Sequence, residues 1–257
     1  MIRSVAIFAL CSLASAFAAD PSVKTPALAP KPVAVAKPVV TPVPPPAAPA
    51  APSKTETLHF AVNWPSGLSL GEGELVSVNN GRGWTFSMTL DAALPAFPLA
   101  ETADSRASSD LCSLELRKTG TRGKRTVKET TKFDAAKAMA TRTTGGDGGK
   151  SEIRIGSCPK DALTFIQFAR RELAAGRVPA AQQVYYGAGY QTRLQYTGTQ
   201  KIRVGNEYVE ADKLTGNVKG PASEFTLELY FARDPERKPL LVSIPVAVGK
   251  FTVEFER

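Results

Sequence analysis

Apolar and polar residues alternate through most of the chain. Leu58, Phe60, Val62 and Trp64 interleave with Thr57, His59, Ala61 and Asn63. A period of two places one set on each face of a strand, so residues 58–64 are predicted to be a half-buried strand. The same beat returns over 70–78 and in Trp84, Phe86, Met88 and Leu90. Pro65-Ser66-Gly67 and Asn79-Asn80-Gly81 supply the turns of a meander. Residues 91–99, with Pro95 and Pro98, read as irregular, and 100–109 as a polar, edge-like strand. Residues 111–118 and 122–133 read as a long hairpin about Thr119-Gly120-Thr121. Residues 139–143 and 151–155 read as another hairpin, across a loop containing four of the glycines.

One stretch departs from this beat. Ala162, Phe165, Ile166, Ala169 and Leu173 recur at i, i+3, i+4, i+7 and i+11, the stripe of an amphipathic helix. Pro159 suits its first turn, Asp161 is placed to cap it or to complement its dipole, and Gly176 is its stop. Alternation then resumes over 181–186, 190–196, 201–204 and 207–214. It continues through Phe225, Leu227, Leu229 and Phe231, through Leu240, Val242 and Ile244, and through Phe251, Val253 and Phe255. Pro245 implies a bulge or a sheet edge. The predicted fold is mainly β. It is a large antiparallel curled sheet or open barrel-like domain of about a dozen strands, with one central α-helix.

The N-terminal region does not share the pattern. Residues 1–18 have the form of a signal peptide, with Arg3, an apolar run over 5–13 and a small-x-small site at Ala16-Phe17-Ala18. Residues 19–54 are rich in Pro and Ala with scattered Lys, which favours a disordered, extended linker over a packed core. At ~3.1 Å per residue such a linker reaches roughly 100 Å. The folded domain is expected over 55–257, and no transmembrane span remains once the leader is cleaved. These features place the protein in the periplasm or outside the cell, within the bacterial envelope.

Cys11 falls in the leader. Cys112 and Cys158 remain as a pair, readable as a disulfide or as two buried thiols. The net charge of the 257-residue chain is +8, or +7 without Arg3. Arg117, Lys118, Arg122, Lys124, Arg125, Lys128 and Lys132 face only Glu129 within 117–132, a local +6. Such a patch attracts anionic surfaces, or simply solvates a hairpin and guards it against aggregation. Export and the lack of interleaved aromatics argue against nucleic acid.

Several short segments carry a family resemblance. Asp161-Ala-Leu-Thr, Ala169-Arg-Arg and Gly176 resemble the Asp-x-Leu-Ser … Leu-Arg … Gly segment of a bacterial exported family catalogued as domain of unknown function 3108. Trp84-Thr-Phe86, the polar stretch 105–110 and the basic hairpin follow the same order. So does the ending Phe231-Ala-Arg-Asp234, Lys238-Pro239-Leu240 and Gly249-Lys-Phe251. Phe231 stands where Trp is commoner, Leu240 for Val and Thr164 for Ser. The resemblance implies an exported, largely β domain. It brings no established activity, so no catalytic residue carries over.

Catalytic sets are sparse. His59 is the single histidine and lies in a regular strand, so it reads as a partly exposed strand residue rather than a triad member. Two cysteines and one histidine make a poor zinc set, and no P-loop or dinucleotide fingerprint is present. No metal and no cofactor is expected. Glu72 and Glu74 share a strand face roughly 7 Å apart, and an exported hydrolase needs only two acids. Arg170, Arg171, Tyr185 and Tyr190 are the candidate ligand-binding residues, the tyrosines because a barrel interior could use them to line a glycan or lipid pocket. The reading is a non-catalytic domain that binds an envelope glycan, lipid or protein partner. The alternatives are a carboxylate-dependent hydrolase of cell-wall or exported polysaccharide, and a structural component of an envelope complex.

Overall fold

A computed structural model describes residues 53–94, 97–246 and 249–256. The leader expected at 1–18, and all but the end of the linker expected at 19–54, lie outside the described residues. The chain forms β1 (Lys54–Asn63), β2 (Ser69–Asn79), β3 (Gly83–Leu94), β4 (Phe97–Ser108) and β5 (Ser113–Arg122). β6 (Arg125–Asp134), β7 (Met139–Thr144) and β8 (Lys150–Arg154) follow, then the two-residue β9 (Lys160–Asp161) and helix α1 (Ala162–Ala174). β10 (Gln182–Tyr186), β11 (Ala188–Val204), β12 (Glu207–Lys219), β13 (Glu224–Ala232), β14 (Pro239–Val246) and β15 (Gly249–Phe255) complete it.

All the strands belong to one 15-stranded sheet ordered β8-β7-β6-β5-β4-β3-β2-β1-β15-β14-β13-β12-β11-β10-β9. Only β9 and β10 pair in parallel. The chain begins in the middle of the sheet, runs out to β8, crosses to the opposite edge at β9, and returns until β15 pairs with β1. β8 and β9 therefore occupy opposite edges, yet only residues 155–159 join them. Laid flat, this sheet would be roughly 67 Å wide at ~4.8 Å per strand. The connection can span only about 20 Å. The sheet has to roll until its edges meet.

The roll closes by overlapping. The Ser113 amide donates to the Pro159 carbonyl at 2.8 Å, so β9 meets the start of β5 rather than β8. Cys112 and Cys158 form a disulfide at this point, with a Cα–Cα distance of 4.6 Å across a separation of 46 residues. Closing a loop of that length contributes about 4 kcal/mol in the chain-entropy account. β10 lies against the inner face of β6–β8. Tyr185 packs its ring on Phe133 with centroids 5.5 Å apart and donates to the Arg154 carbonyl at 3.3 Å.

Helix α1 fills the roll. Ala162, Leu163, Phe165, Ala169 and Leu173 are buried in one core with Leu58, Phe86, Ala103, Leu116, Leu214 and Val218. Each large apolar side chain withdrawn from water contributes about 1.5–3 kcal/mol. The helix ends in a Schellman motif. Gly176, at φ 72°, donates to Leu173 O, and Arg177 donates to Glu172 O. A smaller core forms on the opposite face of the sheet, from Ile202, Val204, Ala211, Tyr230 and Leu240. A bulge between Tyr196 and Gly198 makes it possible, because one extra residue moves Ile202 and Val204 to the face opposite Leu194.

Several sequence expectations need correction. The long hairpin turns at Gly123-Lys124, not at Thr119-Gly120-Thr121, whose residues pair with Lys128, Val127 and Thr126 inside the β5–β6 ladder. Residues 190–196 and 201–204 are not separate strands, since both lie in β11. Residues 91–94 and 97–99 are not irregular: β3 and β4 stay paired from Gly83–Ser108 to Leu94–Phe97, with Pro98 next to the start of its strand, where proline is tolerated. Nor is 100–109 an edge, since β4 lies between β3 and β5. Its polar residues Glu101 and Ser105 point inward and are buried because polar partners meet them there.

Gly71 and Gly73 also gain a structural role. A Cβ at Gly73 would lie 2.3 Å from both the Phe60 ring and the Thr89 carbonyl. We expect Gly73→Ala to lose about 1–3 kcal/mol by overpacking, read from urea unfolding. Parental stability would show that the Phe60 ring and the β3 backbone at Thr89 both give way at no cost.

Candidate functional site

The inner wall carries two polar clusters. In the first, Asp161 is fully buried and caps α1, its Oδ1 accepting from the amides of Leu163 (3.0 Å) and Thr164 (3.1 Å). Its Oδ2 accepts from Ser105 Oγ (2.6 Å), Ser113 Oγ (2.6 Å) and Thr164 Oγ1 (2.8 Å). Ser113 Oγ in turn accepts from the Asp161 amide at 2.7 Å. β4, β5, β9 and α1 thus meet on one carboxylate.

The second cluster joins the tucked-in end of the sheet to its wall. Tyr186 of β10 donates to Glu101 of β4, and Lys118 of β5 lies 4.7 Å from the centre of the Tyr186 ring. The Lys118 ammonium stands 3.0 Å from Glu129 Oε2, and Arg142 of β7 donates to Glu129 Oε1. Burial raises the Glu101 carboxyl above its usual value, opposed by Lys118, Tyr186 and Arg122. Burial, followed by the charge of Glu101, pushes the Tyr186 hydroxyl well up. Burial also works to raise Glu129, but Lys118 and Arg142 outweigh it and hold that carboxyl below its usual value. These groups serve as each other's partners. The arrangement is a closed polar contact holding β10 to β4–β7.

The outer face is different. Two neighbouring rows run in register across β1–β5: His59, Glu74, Thr89, Thr102 and Thr119, then Ala61, Glu72, Asp91, Ala100 and Thr121. Together they line an open dish of about 680 Å³. Glu72 and Asp91 are direct cross-strand partners, which places their Cβ atoms about 5 Å apart. His59 Nδ1 lies 3.6 Å from Glu74 Oε2. Hydroxyls, carboxylates and one imidazole give the dish a dense set of hydrogen-bonding groups with net negative charge. A second open cavity, of about 880 Å³, has mixed charge from Glu207, Glu210, Arg233, Asp234 and Lys238. Among the described residues, no group of three or more His, Cys, Asp or Glu side chains is arranged to hold a metal.

The residues singled out from sequence do not converge on either cavity. Arg170 is buried and fully engaged: it grips Glu56 through both terminal nitrogens (2.5 and 2.9 Å) and donates Nε to Glu236 O at 3.0 Å. Arg171 is exposed and reaches Asp110 O at 3.2 Å. Tyr185 and Tyr190 are buried within the core. The basic hairpin is divided. Lys124, Arg125, Lys128 and Lys132 are exposed and Arg122 is half-buried, Arg117 pairs with Glu115 at 2.8 Å, and Lys118 points inward. Lys118 and Glu129 are equidistant from the Gly123-Lys124 turn and pair in register; hairpin arithmetic about that turn gives the pair, whereas a turn read at Thr119-Gly120-Thr121 hides it. Glu101, Ser105, Ser113 and Arg142 had no such signal, because their partners come from distant strands.

Glu101 and Glu129 respond to pH in opposite senses. Glu101 holds its proton more tightly folded than unfolded. Its contribution is complete below the usual value of 4.5 and is lost as pH rises through the raised value. Glu129 holds its proton less tightly folded, so its contribution is complete above 4.5 and is lost as pH falls through the lowered value. Urea unfolding between about pH 3 and 8 should therefore show Glu101→Gln gaining on the parent as pH rises. Glu129→Gln should be clearly weaker near pH 7, with the gap narrowing toward pH 3. Parallel profiles for the parent and both variants would contradict this picture.

Comparison with curated proteins finds no match. Among solved structures, the chain is similar to a β-barrel-like protein of domain of unknown function DUF1849 from Brucella abortus. The TM-score is 0.54 at 8% identity, over 79% of this chain and 95% of that one. At that identity the likeness shows the fold alone. A family model described as protein of unknown function (DUF3108) matches residues 57–256, and the chain belongs to that family.

Proposed function

We propose that this protein is a non-catalytic binding domain of the bacterial envelope that holds a glycan in its outer-face dish. The observation that carries the reading is the pair of in-register rows on β1–β5. There, Glu72, Glu74, Asp91 and four threonines offer acceptors and donors to sugar hydroxyls in an open concavity. The inner carboxylates Asp161, Glu101 and Glu129 are each engaged by neighbouring side chains, which favours recognition on the outside of the roll. The acids of the dish disfavour anionic lipid headgroups. The disulfide and the leader-like N-terminus support an oxidising, exported setting, the periplasm. No helix among the described residues is long and apolar enough to cross a membrane.

Titration calorimetry of the purified chain with soluble peptidoglycan fragments and exported oligosaccharides tests the reading. Binding is expected, weakened roughly 10- to 100-fold by Glu72→Ala or Asp91→Ala through loss of charged hydrogen bonds. No binding, or binding indifferent to both changes, would falsify it. A hydrolase is the second reading, favoured by the cross-strand pairing of Glu72 with Asp91. Release of reducing ends that vanishes in Glu72→Gln would replace binding with catalysis.

A further inference from the structure

The Cys112–Cys158 disulfide has an unusual neighbour. Lys160 is buried, and its ammonium lies 2.8 Å from Cys158 Sγ and 3.3 Å from the Cys158 carbonyl. The Phe168 ring of α1 covers it at 4.8 Å. Both cysteines are half-buried rather than sealed in the core. Among the described residues no carboxylate is ion-paired with Lys160, although Asp110 and Asp161 act on it from a distance. A cation held against one sulfur of a disulfide does little for the intact bond. It does much for the thiolate that forms when the bond breaks, because a thiolate beside a lysine is stabilised and leaves more readily.

We propose that Cys112–Cys158 is a reducible bond polarised by Lys160, opened by a dithiol reductant that attacks Cys112 and expels Cys158. In the first step a reductant thiolate forms a bond to Cys112 Sγ. The Cys112–Cys158 bond breaks, and its electron pair leaves on Cys158 Sγ as a thiolate facing the Lys160 ammonium. In the second step the other thiol of the reductant, losing its proton, attacks its own sulfur in the mixed disulfide. The reductant closes to a disulfide, and Cys112 departs as a thiolate that takes up the proton. Two electrons pass from the dithiol to the cysteine pair.

The bond ties the start of β5 to the residues leading into β9 and α1. Opening it leaves that junction to the Ser113–Pro159 and Asp161 hydrogen bonds. Reduction therefore loosens the first turn of α1 without dismantling the sheet. Burial, followed by the charge of Arg171, lowers the Lys160 ammonium to about 8 against the pull of Asp110 and Asp161. Its influence on the leaving thiol is accordingly present at neutral pH and fades in mild alkali.

The test uses the whole chain with dithiothreitol as the dithiol, following reduction by alkylation and mass under native conditions. With a Brønsted coefficient of about 0.5, one to two pKa units on the leaving thiol make Lys160→Met roughly 3- to 10-fold slower than the parent. Lys160→Arg, which keeps the cation, should stay near the parental rate. The parent supplies an independent measurement: its rate constant per dithiothreitol thiolate should fall as pH rises through about 8, while that of Lys160→Met stays level. Hydrogen exchange at Leu163 and Thr164 should quicken on reduction. Equal rates in parent and Lys160→Met, a level profile in the parent, or a bond that resists reduction in all three proteins would overturn the proposal.

Discussion

The buried carboxylate of Asp161 is where the structure converges. Five donors reach it, from two helix amides and three hydroxyls on β4, β5 and α1. Among the described residues no cation is hydrogen-bonded to it. Hydrogen-bond donors and the N-terminal end of the helix surround it instead. The same residue belongs to β9, the edge strand that has to travel round the roll to meet β5. Capping the helix and closing the sheet are thus served by one side chain, a few residues from the disulfide that ties the same junction covalently.

The polar lining of the inner wall follows from that closure. An ordinary sheet packed on a helix would present apolar residues inward. Here β4–β7 must also receive the inturned β10, which brings Tyr186 and its turn against Glu101, Lys118 and Glu129. A displacement of β10 by one residue would turn its side chains to the other face and leave buried donors unpaired, at about 1–3 kcal/mol each. The ion pairs and hydrogen bonds therefore set the register of the overlap, while apolar burial around α1 supplies most of the stabilisation. Arg170 adds a third tie, joining the helix to β1 through Glu56 and to the β13–β14 turn through the Glu236 carbonyl.

This division of labour bears on function. Inner polar side chains that would otherwise suggest a catalytic centre are occupied in holding the roll shut. The proposed recognition falls on the outer face, where the pleat of β1–β5 carries acids and threonines in register, and the proposed reduction falls on the rim, where the disulfide lies next to a buried amine. A binding surface on rigid strands and a closure that chemistry can open are compatible in one molecule, since the dish is built on β1–β5 and the covalent tie acts on β9 and α1.

Much of the local structure was legible in the residues themselves. The alternation around Phe60 and Phe86, the stripe from Ala162 to Leu173, the cap at Asp161, the stop at Gly176 and the pairing of Cys112 with Cys158 all depend on neighbours within a turn or a strand, or on cysteine count. They specify element type and a curled, mainly β fold. The inward path of Lys118, the interior position of β4, and the gathering of Ser105, Ser113 and Thr164 on Asp161 depended on the tertiary structure. Periodicity assigns side chains to two faces of a strand without saying which face will find polar partners. That choice is made only when the short link between β8 and β9 forces strands from opposite edges of the sheet into contact.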